Sequence, residues 1–239
     1  MGMFQTTQWS LVLAARQEGA HARVAFEELC RQYRPAVLAY VRCRGYDAQE
    51  AEDLTQAFFL NLVERRFDAD ADRAKGRFRT FLLVALQRFL MNARVSGNAA
   101  KRGGGRIASD TVAAEELPDE SAVASPERAF ELNFALAVMT QVLDGLRREA
   151  RAAGREALYD SVKDYVLEQP DEDSYSGIAE RLGMKRNTVA VAVHRMRQRA
   201  RELVRETLMH TVADERDLEE ELHVLSNSLS RREGLAQRA

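Results

Sequence analysis

The clearest chemical signal in this sequence is a cluster of basic side chains between residues 181 and 205, within the segment YSGIAERLGMKRNTVAVAVHRMRQRARELV. Guanidinium and ammonium groups bind phosphates, and such contacts supply much of the affinity of a protein for DNA. The net charge of the whole chain is −2, so the basic signal is local. The cluster indicates a DNA-binding surface, and a solvated basic helix face is the alternative.

The elements that must position these side chains form a predicted helix-turn-helix. Ser176 is expected to cap a short helix, and Gly183 can adopt the positive φ of a tight turn. Lys185 or Asn187 then begins a longer helix. This order and these lengths are typical of a DNA-binding helix-turn-helix.

The rest of the chain also predicts helices, and the fold class is all-α. The 239 residues contain only 4 prolines and 13 glycines, and few β-branched runs. Apolar periodicity and capping residues predict helices at 8–18, at 22–44, from Asp47 to about 66, at 77–95, and two within 128–169 that are separated near Gly154.

Composition predicts two small helical domains on a flexible linker. Residues 97–126 lack apolar periodicity and are rich in glycine and then in acid, which is typical of a linker. The predicted parts are a first domain at 1–96, the linker at 97–126, a second domain at 127–210 and an acidic C-terminal extension at 211–239. In the extension, four leucines at helical spacing predict a helix that packs on the second domain or masks a basic surface, with a solvated helix as the alternative.

Several classes of protein are disfavoured. No apolar run approaches the roughly 18 residues of a membrane span, and the N-terminus lacks the pattern of a signal peptide, so we expect a cytoplasmic protein. Cys30 and Cys43 have no partner motif and are expected to be reduced, buried thiols. The four histidines are scattered, and no nucleophile–base pair or phosphate loop is present. We therefore expect no catalysis, no metal and no cofactor.

The helix-turn-helix segment resembles region 4 of bacterial extracytoplasmic-function (ECF) sigma factors. The matching residues are Ile178, Ala179, Leu182, Gly183, Thr188, Val189, His194, Arg195 and Arg197. Ala190, Val191 and Ala192 stand where the family is usually basic, so basic residues at the helix start would have to compensate. The resemblance implies contacts with the minus-35 promoter element by Lys185, Arg186, Asn187, Thr188, His194, Arg195 and Arg197.

The first domain resembles region 2 of the same family, through EAEDLTQAFFLNL and through GRFRTFLLVALQRFLMN, where Phe81 replaces the family's tryptophan. Region 2 of these proteins binds the β′ coiled-coil of RNA polymerase, and it opens and captures the minus-10 element. The resemblance implies minus-10 contacts by Arg73, Lys75, Arg77, Phe78, Arg79, Arg88 and Asn92. Core packing is the alternative for Phe78, and capping is the alternative for Asn92.

The helix that contains EAEDLTQAFF has two sides. The side expected to face polymerase carries Glu50, Asp53, Gln56, Ala57 and Leu60. Ala57 stands where the family has glutamate. Thr55, on the side expected to face the core, is the only hydroxyl of this helix.

One branch of these sigma factors lacks acid at this point and is activated by a Ser/Thr kinase that modifies a threonine in this segment. The resemblance therefore implies phosphorylation of Thr55, and a plain buried threonine is the alternative. The implied partners are core RNA polymerase, through its β′ coiled-coil and β flap, promoter DNA and a Ser/Thr kinase. A helix-turn-helix regulator that does not bind core polymerase is the alternative function.

Overall fold

A computed structural model describes residues 12, 14–15, 17, 19–64, 77–102, 125–166, 172–212 and 214–236. These residues form helices, which confirms the predicted all-α class, and no strand occurs among them. The helices are α1 Ala20–Cys43, α2 Ala48–Glu64, α3 Phe78–Arg102, α4 Pro126–Ala152, α5 Glu156–Val162, a 3-10 turn Lys163–Val166, α6 Glu172–Leu182, α7 Arg186–Met209 and α8 Glu215–Ala236. The predicted helix at 8–18 lies largely outside the described residues.

Local capping explains where several helices begin and end. The Asp47 carboxylate accepts a hydrogen bond of 2.8 Å from the backbone N–H of Glu50, which starts α2 as predicted. The Ser125 hydroxyl accepts one of 3.2 Å from the backbone N–H of Arg128 at the start of α4. The predicted break near Gly154 is confirmed, because this glycine adopts a φ of 65° two residues after the end of α4.

Two predicted boundaries differ from the structure. Helix α3 continues to Arg102, so the predicted linker at 97–126 begins inside a helix, and most of the remaining linker lies outside the described residues. Ser176 was expected to cap the first helix of the helix-turn-helix. It lies inside α6 instead, because that helix begins at Glu172.

The main core is shared by helices from both predicted domains. The Tyr33 ring of α1 lies 5.1 Å from the Phe78 ring of α3 and 5.8 Å from the Phe134 ring of α4. Leu208 of α7 and Leu218 of α8 are fully buried in the same cluster. The apolar side of α4 packs along α1 because an amphipathic helix must bury its apolar face against another element. The predicted domain boundaries stay a prediction, and the described core crosses them.

The helix-turn-helix has a second, smaller core. Ile178 and Ala179 of α6 pack against Val189 and Val193 of α7, and Val162 closes this cluster from α5. Helix α7 extends from this small core into the main core, where Leu208 is buried. Helix α7 therefore connects the helix-turn-helix to the rest of the molecule, together with a third cluster in which Tyr159 of α5 packs against Val142 and Leu146 of α4.

The cysteines differ from the expectation of two buried thiols. Both are free, but Cys43 is exposed and Cys30 is only half-buried. Burial raises the pKa of the Cys30 thiol to about 11, so it stays protonated near neutral pH. Among the helices that the structure describes, none is long and apolar enough to cross a bilayer.

Candidate nucleic-acid interface

Helix α2 separates an exposed side from a buried side, as the sequence predicts. Ala51, Thr55, Phe58, Phe59 and Leu62 are buried. The five residues expected to face polymerase are all exposed: Glu50, Asp53, Gln56, Ala57 and Leu60. The apolar side chain of Leu60 is 47% exposed, so this side combines acidic groups with an uncovered hydrophobe. Such a mixture suits a protein partner.

A third acidic residue of α2 is tied to the neighbouring helix. Glu52 is half-buried and forms an ion pair with Arg34 of α1, and its other oxygen lies 3.6 Å from Arg42. These contacts hold the Glu52 charge against α1, between the exposed and buried sides. The negative charge on the exposed side of α2 therefore comes from Glu50 and Asp53, and from Glu64, an exposed residue at the end of the helix.

Thr55 occupies an unusual environment. Its side chain is fully buried, and its hydroxyl has no hydrogen-bond partner among the described residues. An unsatisfied buried hydroxyl costs about 1–3 kcal/mol relative to a satisfied one. Packing alone therefore gives no reason for threonine rather than valine at this position.

Phe78 does not have the exposed ring that the minus-10 prediction required. The ring is fully buried, where it lies 5.1 Å from Tyr33 and 5.8 Å from Phe81. The backbone N–H of Phe78 donates a 2.8 Å hydrogen bond to the carbonyl of Thr211, in the turn between α7 and α8. The ring is therefore part of the core in this arrangement, as the packing alternative expects, and stacking of Phe78 on bases stays a prediction.

Arg79 is buried as well, in contrast to the predicted phosphate contact. Its guanidinium forms a two-pronged ion pair with Glu221 of α8, with Nε–Oε2 and Nη2–Oε1 distances of 2.9 and 3.1 Å. Its Nη1 atom donates to Glu131 of α4 at 3.1 Å. In this geometry two carboxylates accept hydrogen bonds from the guanidinium, and the contacts connect α3 with α8 and with α4. Burial, reinforced by the Glu221 charge, also raises the pKa of the adjacent Tyr33 well above its usual value.

Arg77 is engaged by the same face of α8. Its Nη1 atom lies 2.7 Å from Glu220, and its Nε atom lies 3.8 Å from both Asp217 and Glu221. Sequence reasoning recognised the tail as acidic but did not assign these acids to Arg77 and Arg79. The spacing of Asp217, Glu220 and Glu221 could have indicated a shared acidic face, because residues three and four positions apart lie on one face of a helix.

The other minus-10 candidates are divided between exposed and undescribed positions. Arg88 and Asn92 are exposed and lie one helical turn apart on α3. Arg73 and Lys75 lie outside the described residues. The structure therefore brings Arg88 and Asn92 onto one accessible surface and separates them from the covered start of α3.

The helix-turn-helix presents most of the minus-35 candidates to solvent. The exposed residues are Lys185, Arg186, Asn187, Thr188, His194 and Arg195. Arg197 is half-buried, and its Nε atom donates a 2.7 Å hydrogen bond to the carbonyl of Tyr165. This contact attaches the 3-10 turn to α7, so the structure gives Arg197 a role in packing.

Two glycines of the helix-turn-helix are expected to respond oppositely to alanine. Gly183 adopts a φ of +63°, and Gly177 lies in α6 with open space around the Cβ position. Gly183→Ala should lower the free energy of unfolding by about 1–2 kcal/mol, because L side chains disfavour the left-handed region. Gly177→Ala should raise it by up to about 1 kcal/mol, because alanine favours the helix. Urea unfolding followed by circular dichroism measures both, and equal shifts would contradict the assigned turn.

Comparison with known proteins identifies one part of the chain. Residues 29–96 match the family model of Sigma-70 region 2. This range covers most of α1, all of α2 and most of α3, and it excludes the helix-turn-helix. No curated protein and no solved structure in the comparisons matches the chain.

Proposed function

We propose that this chain is a sigma factor of the ECF type that directs RNA polymerase to specific promoters. Its match to region 2 supports a sigma factor for transcription initiation. The observation that carries the proposal is helix α2, which lies inside the matched range and exposes acid beside Leu60. This exposed side is proposed to bind the β′ coiled-coil of core RNA polymerase.

Promoter DNA would be contacted by two separate surfaces. Arg88 and Asn92, with Arg73 and Lys75, are proposed to meet the minus-10 element. The exposed basic start of α7, from Lys185 to Thr188, is proposed to read the minus-35 element, with the helix-turn-helix also contacting the β flap. The exposed residues Lys185 and Arg195 supply the positive charge that phosphates require.

We further propose that phosphorylation of Thr55 by a Ser/Thr kinase activates the protein. Two features support this: Thr55 is the only hydroxyl of α2, and the exposed side has Ala57 where acid would strengthen binding to a basic partner. A phosphate adds a charge of about −1.5 to −2, which cannot remain in a packed apolar core. Modification would therefore act by opening or rotating α2 and not as a charge on an unchanged surface.

The docking proposal predicts the effect of adding acid to the exposed side of α2. Ala57→Glu should tighten the binding of the unphosphorylated chain to purified core RNA polymerase about tenfold. The reason is that a charge-assisted contact contributes about 1.5–3 kcal/mol. Fluorescence titration of the labelled chain with core polymerase measures the dissociation constant, and transcription from a cognate promoter reports the function.

The matched control for this experiment is Ala48→Glu. Ala48 is also an exposed alanine of α2, but it lies about two and a half helical turns earlier and so projects from the opposite side. Equal gains from both substitutions would reject the assigned docking side. Failure of the unmodified, the phosphorylated and the Ala57→Glu chains to bind polymerase would favour a helix-turn-helix regulator that acts without it.

A further inference from the structure

We propose that helix α8 shields a phosphate-binding surface at the start of helix α3, so that promoter DNA reaches this surface only after α8 is displaced. The surface consists of Arg77 and Arg79, and the shield consists of Asp217, Glu220 and Glu221 on one face of α8. The inference rests on the proposed sigma function, because it assigns a regulatory role to the tail within that function.

The shield uses the same chemistry that DNA would use. Carboxylate and phosphate oxygens both accept paired N–H bonds from a guanidinium. Glu221 accepts from Nε and Nη2 of Arg79 at 2.9 and 3.1 Å, and Glu220 lies 2.7 Å from Nη1 of Arg77. The acids of α8 therefore bind the same arginine N–H donors that phosphate contacts would need.

Helix α8 also reaches the second basic region of the chain. Arg205 of α7, within the basic cluster at 181–205, lies 2.9 Å from Glu219 and 3.5 Å from Glu215. The acids of α8 thus meet arginines from both stretches in which the sequence concentrates candidate DNA contacts.

The attachment of α8 is strong at its centre and weaker at its rim. Leu218 and Leu225 anchor it in the main core, and the Arg79–Glu221 pair is buried. The Arg77–Glu220 pair is more accessible, since the Glu220 side chain is 63% exposed. Exposed pairs are screened by salt, so the rim is where a competing polyanion would begin to displace the helix.

The test neutralises the accessible part of the shield in the chain of 239 residues. The variant Asp217→Asn/Glu220→Gln removes two carboxylates that face Arg77 and leaves the buried pair intact. The control Glu27→Gln/Glu156→Gln changes the net charge equally, at one ion pair within α1 and at one between α4 and α5. Binding of a fluorescein-labelled, mixed-sequence single-stranded DNA oligonucleotide is followed by anisotropy at several salt concentrations.

The shield variant, Asp217→Asn/Glu220→Gln, should bind the oligonucleotide at least about fivefold more tightly than the control variant at low salt. The slope of log affinity against log salt should steepen by about 0.7 for each additional phosphate contact. Adding Arg77→Ala to the shield variant should cancel both changes. If Asp217→Asn impairs folding, Glu220→Gln alone gives the same comparison, because its side chain is largely exposed.

Two negative results have different meanings. Equal affinities and equal salt slopes for the shield and control variants would overturn the shielding while leaving the sigma function intact. A complete lack of DNA binding by every variant would overturn both the shielding and the proposed function if core polymerase also shows no promoter-dependent transcription with the unmodified, the phosphorylated and the Ala57→Glu chains.

Discussion

Replacing Glu221 with glutamine is expected to lower the free energy of unfolding by about 3–5 kcal/mol, because it leaves the buried Arg79 charge without its main partner. The Glu221 and Arg79 side chains are only 1% and 7% exposed. Glu131 contacts Arg79 through a single 3.1 Å bond and is itself partly exposed, so it cannot replace the two-pronged contact.

Chemical denaturation followed by circular dichroism measures this loss. The matched control is Glu220→Gln, one position earlier on α8, whose partner Arg77 is more accessible. Its effect should stay below about 1 kcal/mol, as for other surface pairs. The double variant Arg79→Met/Glu221→Leu should recover most of the lost stability, because apolar groups of similar volume often replace a buried pair without loss. Similar losses for Glu220→Gln and Glu221→Gln would contradict the buried geometry.

Substitutions at Thr55 are expected to change stability in opposite directions. Thr55→Val should raise the free energy of unfolding by about 1 kcal/mol, because valine has nearly the same shape and removes a buried hydroxyl that has no partner among the described residues. Thr55→Asp should lower it by several kcal/mol at pH 7, because an ionised carboxylate is poorly tolerated in the core.

The pH dependence of Thr55→Asp follows from burial. Burial raises the pKa of the introduced carboxyl above the unfolded value of about 3.9, so the folded state binds the proton more tightly. The loss of stability should therefore be small near pH 4 and should grow as the pH rises through the raised pKa. Thermal unfolding at a series of pH values measures this trend.

The control for the Thr55 series is Ala57→Asp, which adds the same charge to the exposed side of α2. It should change stability by no more than about 0.5 kcal/mol. A Thr55→Asp chain as stable as the Ala57→Asp chain at pH 7 would show that Thr55 accommodates charge without movement of α2. That result would remove the physical basis for a conformational change on phosphorylation.

The helical architecture and several local features of the site could be predicted from the sequence. Helix class follows from propensity and from apolar spacing, which act over a few neighbouring residues. The cap at Asp47, the break at Gly154 and the two sides of α2 were all predicted correctly, because each depends on residues within one or two turns. Ser176 was misassigned because a plausible cap residue does not stop a helix that is favourable upstream of it.

The accessibility of the basic residues depends on long-range packing and could not be predicted from the sequence. Nothing local distinguishes Arg79 from Arg88, yet Arg79 is buried and Arg88 is exposed. The partner of Arg79 is Glu221, which lies 142 residues later in the chain. The amphipathic helices α4 and α8 must bury their apolar faces, and their packing onto the first helices brings these distant charges together. A sequence lists the charges of a chain, whereas long-range packing determines which of them meet each other and which meet solvent.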